Sequence, residues 1–496
     1  MKLSLIKKKL AGINWYKQGV EAKCSCISYP WIAMNELTIF GRRIPVVYDT
    51  IICHARHNDM SWYWSRNSLL KVADYFYERH RKDSDFVHKL LKKWRSGSVK
   101  KLLHKINSVE EMNLESLSRK DFLEEFNLFS QAYMRFWREC ALHDAFDIGG
   151  EIILENEIRK EKVRISKGEV DILIAMTELS WPQKEKKDFL RLVDLARKHK
   201  NWRKEELVQN EIQKHAEKYY WILNHYAGSR RLDEKYFSKE IGQYLKDRNK
   251  YHQDKETINH AGETKRKKSR LIKKLRLSKK FLADLDFIMT LARWRDERKT
   301  YVQMAGATIT KFAKEFSRRT DLPMDVVENL FWPELARIFE NKKHFAGLSK
   351  KRYQGVIILD YVRYNEGVYG RDAEELHKFL EKLISGGREG IKGRTAFPGI
   401  VQGVARIIKS PSEFHRMKRG DILIAPNTRP EYFPIMKIAG AIVTEEGGLT
   451  CHAAIVSREL KITCIVGAQG ILSVVKDGDL VEVDADKGVV RIVGRK

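Results

Sequence analysis

The stretch Ala439–Gly467 reads AGAIVTEEGGLTCHAAIVSRELKITCIVG and decides how the last part of the chain folds. Its first apolar run is long enough for a buried strand, and the paired glycines then break the pattern as a tight turn does. A run of helix-forming residues follows, with Thr450 placed to cap it, before β-branched residues return. The stretch predicts a strand, a glycine turn, a helix and a second strand, at 441–443, 447–448, 453–460 and 462–466.

His452 falls in the first turn of the predicted helix. The start of a helix offers unpaired N–H groups and a partial positive charge, which favour a bound phosphate and disfavour the imidazolium form of histidine. Gly447 and Gly448 let a phosphate approach the backbone, and the hydroxyl of Thr450 and the thiol of Cys451 can add contacts. This pattern favours a histidine nucleophile that becomes phosphorylated.

The residues alone leave two other interpretations of His452. A histidine at a helix start can cap the helix and take no part in chemistry. A zinc site made of Cys451, His452 and Cys464 is a second alternative, although it lacks the paired spacing that zinc sites use.

The run Gly447–Glu459 closely resembles the phosphohistidine signature of the PEP-utilising enzymes, a family that includes phosphoenolpyruvate synthase, pyruvate phosphate dikinase and rifampin phosphotransferase. Two upstream blocks, Ala396–Arg406 and Gly420–Pro430, resemble the family's opening strand and its second strand with the following loop. The resemblance implies a swivelling β/β/α domain that carries phosphate between two distant active sites, with His452 as the phosphoacceptor. Thr428 and Arg429, in the second block, are predicted to support His452, together with Gly447, Gly448, Thr450 and Cys451.

Composition limits the class of protein. The chain has 496 residues, room for two or three domains, and a formal net charge of +28. From Gly393 onward there are 15 Lys and Arg against 11 Asp and Glu, so most of the excess positive charge lies earlier in the chain. Such a surface attracts polyanions, or it reflects a lysine-rich bias that serves solubility.

Cysteine usage and apolar runs indicate a cytoplasmic protein. The six cysteines are scattered rather than arranged as a disulfide framework. We interpret Cys24, Cys26 and Cys53 as buried small residues, because their spacing does not fit a zinc site. The lysines at 7–9 interrupt the N-terminal apolar run, and no run is long enough to cross a bilayer, so no membrane contact is expected.

The middle of the chain, from Asp59 to about Asn341, has helical apolar spacing. Aromatic residues at helical intervals in 121–140 are expected to form core: Phe122, Phe126, Phe129, Tyr133 and Phe136. The polar run Lys246–Lys280 is interpreted as a solvated helix or loop, with a dock for an acidic partner or a phosphate-rich ligand as the alternative.

A long helix is predicted at 281–316, and its apolar stripe is traced through Arg295 and Lys299. A cation on a buried face must be paired or must meet a ligand. Arg293 can pair with Glu297 four residues on, whereas Arg295 has no acidic neighbour at helical spacing. The segment also resembles, more loosely, a charged helix of rifampin phosphotransferase-like proteins. We predict a substrate-anion pocket here, and the alternative is pairing with carboxylates of another helix. The pocket residues are Arg293, Arg295, Arg298 and Lys299.

The predicted fold class is α+β and multidomain, with a large, mainly α-helical N-terminal domain and a small C-terminal swivelling β/β/α phosphohistidine domain. The run Ser385–Gly393 has the composition of a flexible linker. Some strands are expected in the first domain near 25–50 and 354–364. The predicted bounds are 1–384 for a substrate domain, 385–393 for the linker and 394–496 for the phosphohistidine domain.

The order of these domains resembles the last two parts of rifampin phosphotransferase. In the larger family members the phosphoryl group comes from ATP on an ATP-grasp domain or from PEP on a TIM barrel. We find no convincing glycine-rich phosphate loop before the helical region, so the chain is not expected to bind ATP alone. There is also no room for a barrel after the phosphohistidine domain. The resemblance implies an ATP-grasp partner protein that phosphorylates His452, with Mg²⁺ serving the nucleotide step in that partner. The phosphoryl group would then pass to a small-molecule acceptor in the helical domain. No metal site is expected in this chain itself.

Two alternatives to a phosphotransferase remain. One is a non-catalytic carrier or regulatory relative that has lost its phosphate donor. The other is a basic nucleic-acid-binding protein, although no nucleic-acid motif is recognised in the sequence and no such partner is expected.

Overall fold

The computed structural model describes residues 3–21, 48, 50–57, 59–224, 231–361, 364–385, 390–448 and 451–495. The strands predicted near 25–50 fall mostly outside these ranges, as do Cys24 and Cys26. The chain divides into two compact units, which are described separately: the first comprises 1–81, 137–155 and 320–496, and the second comprises 82–136 and 156–319.

This division differs from the predicted domain bounds. The segment 50–56 pairs with 356–361 as antiparallel strands, so the ends of the predicted domain 1–384 separate from its helical middle. The predicted linker at 385–393 lies partly outside the described residues, at 386–389, and Ile391–Lys392 already pair as a strand. The linker and the hinge motion therefore stay predictions.

The helices have the following bounds: α1 (Leu3–Leu10), α2 (Arg66–Lys82), α3 (Phe86–Trp94), α4 (Lys100–Glu111), α5 (Arg119–Glu139), α6 (Phe146–Lys160), α7 (Lys167–Ile174), α8 (Trp181–Arg197), α9 (Glu206–Tyr219), α10 (Glu234–Lys246), α11 (Arg248–Leu275), α12 (Lys279–Thr320), α13 (Met324–Glu328), α14 (Trp332–Arg337), α15 (Lys342–Gln354), α16 (Gly370–Ser385), α17 (Phe433–Met436), α18 (His452–Leu460) and α19 (Ile471–Val474). The strands are β1 (Trp15–Glu21), β2 (Thr50–Arg56), β3 (Asp59–Ser65), β4 (Val356–Tyr361), β5 (Tyr364–Tyr369), β6 (Ile391–Lys392), β7 (Arg394–Phe397), β8 (Ile400–Ile407), β9 (Ile422–Ala425), β10 (Ala441–Thr444), β11 (Thr463–Val466), β12 (Leu480–Asp484) and β13 (Val489–Gly494). In the part of the chain that the structure describes, every helix is too short or too polar to span a bilayer.

The first unit contains a five-stranded antiparallel sheet in the order β1-β3-β2-β4-β5. The strand expected at 354–364 corresponds to β4, which pairs antiparallel with β5. One face of this sheet packs against α1 and α16, where Leu10, Ile52, Tyr63 and Leu376 are almost fully buried. Burial of these side chains fixes both helices on the sheet.

The first unit also contains an eight-stranded sheet in the order β6-β13-β12-β8-β9-β10-β11-β7. Its four central neighbours, β8 to β11, are parallel, and the flanking pairs are antiparallel. Strands β9, β10 and β11 are buried along their whole length, as parallel strands covered on both faces are. Helix α18 joins β10 to β11, so the strand, turn, helix and strand predicted from 439–467 are confirmed.

The second unit is helical, as predicted for the middle of the chain. The aromatic residues of α5 are buried and contact α12, with ring centroids 4.8 Å apart for Phe122–Phe316 and 4.9 Å for Phe126–Phe316. A second core lies among α8, α9 and α10 around Phe189 and Ile212. The aromatic repeat was therefore correctly interpreted as core.

A buried ion cluster joins the two sheets of the first unit. Lys17 on β1 is 3 % exposed, and its Nζ lies 3.0 Å from Glu381 Oε1 on α16 and 3.1 Å from Glu445 Oε2 just after β10. The backbone of Lys17 also exchanges two hydrogen bonds of 2.9 Å with the Gln469 side chain, beyond β11. The carboxyl edge of the eight-stranded sheet is thus fixed to β1 by one lysine.

One ammonium group is paired with two carboxylates in this cluster, and the pKa values of the two carboxylates are shifted in opposite directions. Burial tends to lower the pKa of Lys17, but the charges of Glu445 and Glu381 outweigh it and raise that pKa. Burial also raises the pKa of Glu445, the deeper carboxylate. Glu381 has a lowered pKa despite burial, because His377, Lys17, Ser473 and Tyr63 all favour its anion.

We expect Lys17→Met to destabilise the protein by about 3–5 kcal/mol, because two buried carboxylates lose their shared cation. The measurement is chemical denaturation followed by circular dichroism. Lys7→Met is the matched control, because Lys7 pairs with Glu375, whose side chain is 60 % exposed, and should cost about 1 kcal/mol or less. Equal losses in the two variants would contradict a structural role for the cluster.

A neutral histidine lies beside the cluster. The ring of His54 stacks on His377 with centroids 3.8 Å apart, and the His54 side chain is buried. Burial, followed by the charge of His377, lowers the pKa of His54 to about 3. The unfolded chain therefore binds a proton on this residue near pH 6.5, whereas the folded chain does not bind one until about pH 3.

This difference in pKa predicts that the free energy of unfolding depends on pH. Between pH 6.5 and 3 the unfolded state holds more protons, so the His54 contribution to stability falls as the pH is lowered, by at most about 1.4 kcal/mol per pH unit. We expect His54→Phe to flatten the dependence between pH 7 and 5 in urea titrations. His104→Gln, at an exposed position, should leave it unchanged. A slope unaltered in His54→Phe would refute the assignment.

Candidate functional site

His452 opens helix α18 at the carboxyl edge of the parallel strands. The helix starts at His452, one residue earlier than predicted, and Cys451 is its N-cap with extended backbone and no side-chain capping bond. Thr450, predicted as the cap, lies outside the described residues, so its role stays a prediction. His452 is half-buried, so its ring is not sealed inside the core.

Thr428 reaches His452 from the neighbouring strand. It follows β9, which runs parallel to β10, so both residues lie at the same edge of the sheet. The Thr428 hydroxyl oxygen is 2.8 Å from His452 Nδ1, and the Thr428 side chain is buried. When Nδ1–H donates to this oxygen, the lone pair of Nε2 is left for attack on an electrophile. Arg429, the next residue, is half-buried beside it.

A Cβ atom at either glycine of the turn would meet a neighbouring side chain. Gly447 adopts φ +97°, and a Cβ there would come within 2.7 Å of Cys451 Sγ. A Cβ at Gly448 would collide with the carboxylate of Glu151 on α6. The backbone conformation of Gly447 favours glycine, and a side chain at Gly448 would require the Glu151 carboxylate to move.

Sequence reasoning missed several charged residues near this turn. Glu445 comes just before the turn and pairs with Lys17 on β1, and the carboxylate of Glu151 lies against the turn. The acidic pair 445–446 between a strand and two glycines was a signal that could have been used. Lys17 gave no such signal, because its partners lie more than 360 residues away along the chain.

The apolar stripe predicted along α12 needs correction where it passes through Arg295 and Lys299. The helix is confirmed and longer than expected, but its buried face runs through Leu291, Trp294 and Arg298 rather than through Arg295 and Lys299. Lys299 is exposed and Arg295 is half-buried. In this middle part of the helix the stripe was traced at the wrong phase, because over so long a helix the periodicity allows more than one apolar line.

The ion pairs of α12 also differ from the prediction. Glu297 binds Arg95 of the segment after α3, with Nε at 3.0 Å, rather than Arg293. Arg293 donates to Thr290 at 2.7 Å and pairs with Asp286 and Glu178, each at 3.4 Å. Arg293 thus pairs with a carboxylate of its own helix and with one in the segment between α7 and α8, which is not the predicted alternative of pairing with another helix. A substrate role for the four cations stays a prediction.

The described residues contain no group of three or more His, Cys, Asp or Glu that could hold a metal ion. Among the cysteines of the described segments, Cys464 is buried in β11 and Cys451 is half-buried.

Among the comparisons with known proteins, a family model matches the segment that carries His452. The family model described as PEP-utilising enzyme, mobile domain, matches residues 417–488. The probable phosphoenolpyruvate synthase of Archaeoglobus fulgidus is 47 % identical over 116 residues, which are 23 % of this chain and 15 % of that protein. The phosphoenolpyruvate synthase of Aeropyrum pernix is 41 % identical over 128 residues, or 25 % of this chain and 16 % of that protein.

The chain thus spans about a sixth of the length of these relatives. The crystal structure of aconitase X from Thermococcus kodakaraensis is 22 % identical, covers 21 % of this chain and 98 % of that chain, and gives a TM-score of 0.18. The segment that carries His452 resembles the mobile domain of the PEP-utilising enzymes.

Proposed function

We propose that this protein is a phosphotransferase component in which His452 accepts and then passes on a phosphoryl group. The observation that supports it best is the half-buried ring of His452 in the first turn of α18, with Nδ1 2.8 Å from Thr428 Oγ1, inside a segment similar to the mobile domain of PEP-utilising enzymes. A helix start and a glycine turn beside that ring suit a phosphoryl group.

The chemical step follows from the geometry. The Nε2 lone pair attacks phosphorus, an N–P bond forms, and the P–O bond to the leaving group breaks, with its electron pair going to the departing oxygen. The proton on Nδ1 stays in the hydrogen bond to Thr428, which orients the ring and stabilises the positive charge that develops on it. In the second step an acceptor oxygen attacks phosphorus and the N–P bond breaks, returning its electron pair to Nε2.

The donor and acceptor are part of the proposal. We take a separate ATP-grasp protein as the donor, with Mg²⁺ bound at its nucleotide, and a small molecule as the acceptor. Both rest on the sequence resemblance. The names of the relatives add phosphoenolpyruvate as a second donor to test.

The test uses the full chain and two labels. The protein is incubated with ³²P-phosphoenolpyruvate, and with β-labelled or γ-labelled ATP plus a purified ATP-grasp protein from the same organism. Potassium phosphoramidate serves as a donor that needs no partner. We expect acid-labile, base-stable label on His452, and none in His452→Ala with an unchanged thermal melt. Absence of label from every donor, phosphoramidate included, would favour the non-catalytic alternative.

The position of the label gives a sharper prediction. Because Thr428 engages Nδ1, phosphorylation should occur at Nε2, which ³¹P and ¹H NMR distinguish from Nδ1. Thr428→Val should slow phosphorylation about tenfold, the worth of one well-placed hydrogen bond, and should yield a mixture of the two isomers. Thr428→Ser keeps the hydroxyl and should behave as wild type. An Nδ1 product in wild type would show that the Thr428 contact is not the reactive arrangement.

A further inference from the structure

The glycine turn beside His452 is already in contact with an anion of the protein itself. The carboxylate of Glu151, on α6, lies where a Cβ of Gly448 would be. Glu151 is ion-paired with Arg394 on β7, and the two side chains are 13 % and 34 % exposed. A carboxylate of the chain thus fills the space that a glycine turn leaves open for a ligand.

Arg394 lies at the same edge of the sheet as the turn. β7 pairs with β11, and Arg394 is opposite Val466, the last residue of that strand. The backbone N–H of the following Gly467 donates to the Glu446 carbonyl, so the end of β11 is tied to the start of the turn. Arg394 is therefore held by the sheet itself, which is a rigid support for a binding residue.

The surroundings of Arg394 carry more than one positive charge. Burial, followed by the charge of Arg66 at the start of α2, lowers the pKa of Arg394. A second carboxylate, Glu155, is one turn further along α6 at 3.9 Å from Arg394 and is half exposed. A second guanidinium close enough to act on Arg394 makes this a place where an anion of higher charge is favoured.

We propose that Arg394 is a phosphate-binding residue of the His452 site, and that Glu151 occupies its guanidinium while the histidine is unphosphorylated. This proposal rests on the proposed function, since it assigns the residue that receives the phosphoryl group. A phosphoryl group has nearly twice the charge of a carboxylate and three acceptor oxygens, so it competes successfully for an arginine fork.

The exchange has a structural consequence. A phosphoryl group on His452 and the Glu151 carboxylate repel each other across the glycine turn. Phosphorylation therefore displaces the carboxylate from Arg394 and breaks the contact between α6 and Gly448. The charge state of His452 would then control whether the turn stays packed on α6, with no other part of the chain required.

The test measures binding of inorganic phosphate to the full-length, unphosphorylated protein by calorimetry. We expect Glu151→Gln to bind phosphate about tenfold more tightly than wild type, because a competing charge of the same sign is removed. Glu155→Gln, on the same helix, is the matched control and should stay within about twofold. Tighter binding in neither variant, or equally in both, would overturn the proposal.

The arginine is tested with two variants. Arg394→Met should lose measurable phosphate binding, and Arg394→Lys, which keeps the charge but not the fork, should retain part of it. Thermal melts check that both variants fold. If Arg394→Met binds phosphate as wild type does, the arginine is not a ligand. Because phosphate binding does not need a reactive histidine, failure of His452 to label would refute the proposed function without deciding this result.

Discussion

The structure of the first unit depends on one buried cation. Lys17 projects from β1 between two carboxylates that belong to different parts of the chain, Glu381 on α16 and Glu445 at the end of β10. A buried charge has to be compensated, so any arrangement that separates these three groups inside the protein is strongly disfavoured. While the cluster stays buried, the end of β10 is held beside β1, and with it the glycine turn that begins at Gly447.

The position of the site then follows from strand direction. Parallel strands end at one edge of a sheet, so strand direction alone brings together the residues that follow β9, β10 and β11. Thr428 comes from the first of these ends, His452 from the helix after the second, and Gln469 from the third. Helix α18 directs its positive end toward this edge, which is the charge that a phosphoryl group requires.

The local sequence pattern was enough to predict the strand, turn, helix and strand around His452, because the signal for each element lies within a short continuous stretch of sequence. Thr428 was predicted to support His452 from the resemblance of Gly420–Pro430 to the family's second strand and following loop, and the parallel pairing of β9 with β10 explains why the two residues meet at one edge. The pairing of β2 with β4, the Lys17 cluster and the approach of Glu151 could not be predicted, because each joins residues hundreds of positions apart. The error on α12 has a different cause: 42 helical residues admit two apolar lines, and packing selects between them.

The ion cluster and a travelling carrier domain are compatible on energetic grounds. If the segment after β10 leaves, Glu445 and Lys17 exchange a buried contact for hydration, and Lys17 keeps Glu381 as its partner. An ion pair that opens to water loses little net free energy, because solvation replaces most of the attraction. Separation of this segment from β1 would therefore be opposed mainly by the apolar contacts and by the hydrogen bonds of Gln469. The charged groups mainly determine the orientation in which the segment binds. Phosphorylation at His452 would add a repulsion against Glu151 in the docked state alone, and a repulsion confined to one state shifts the equilibrium toward the other.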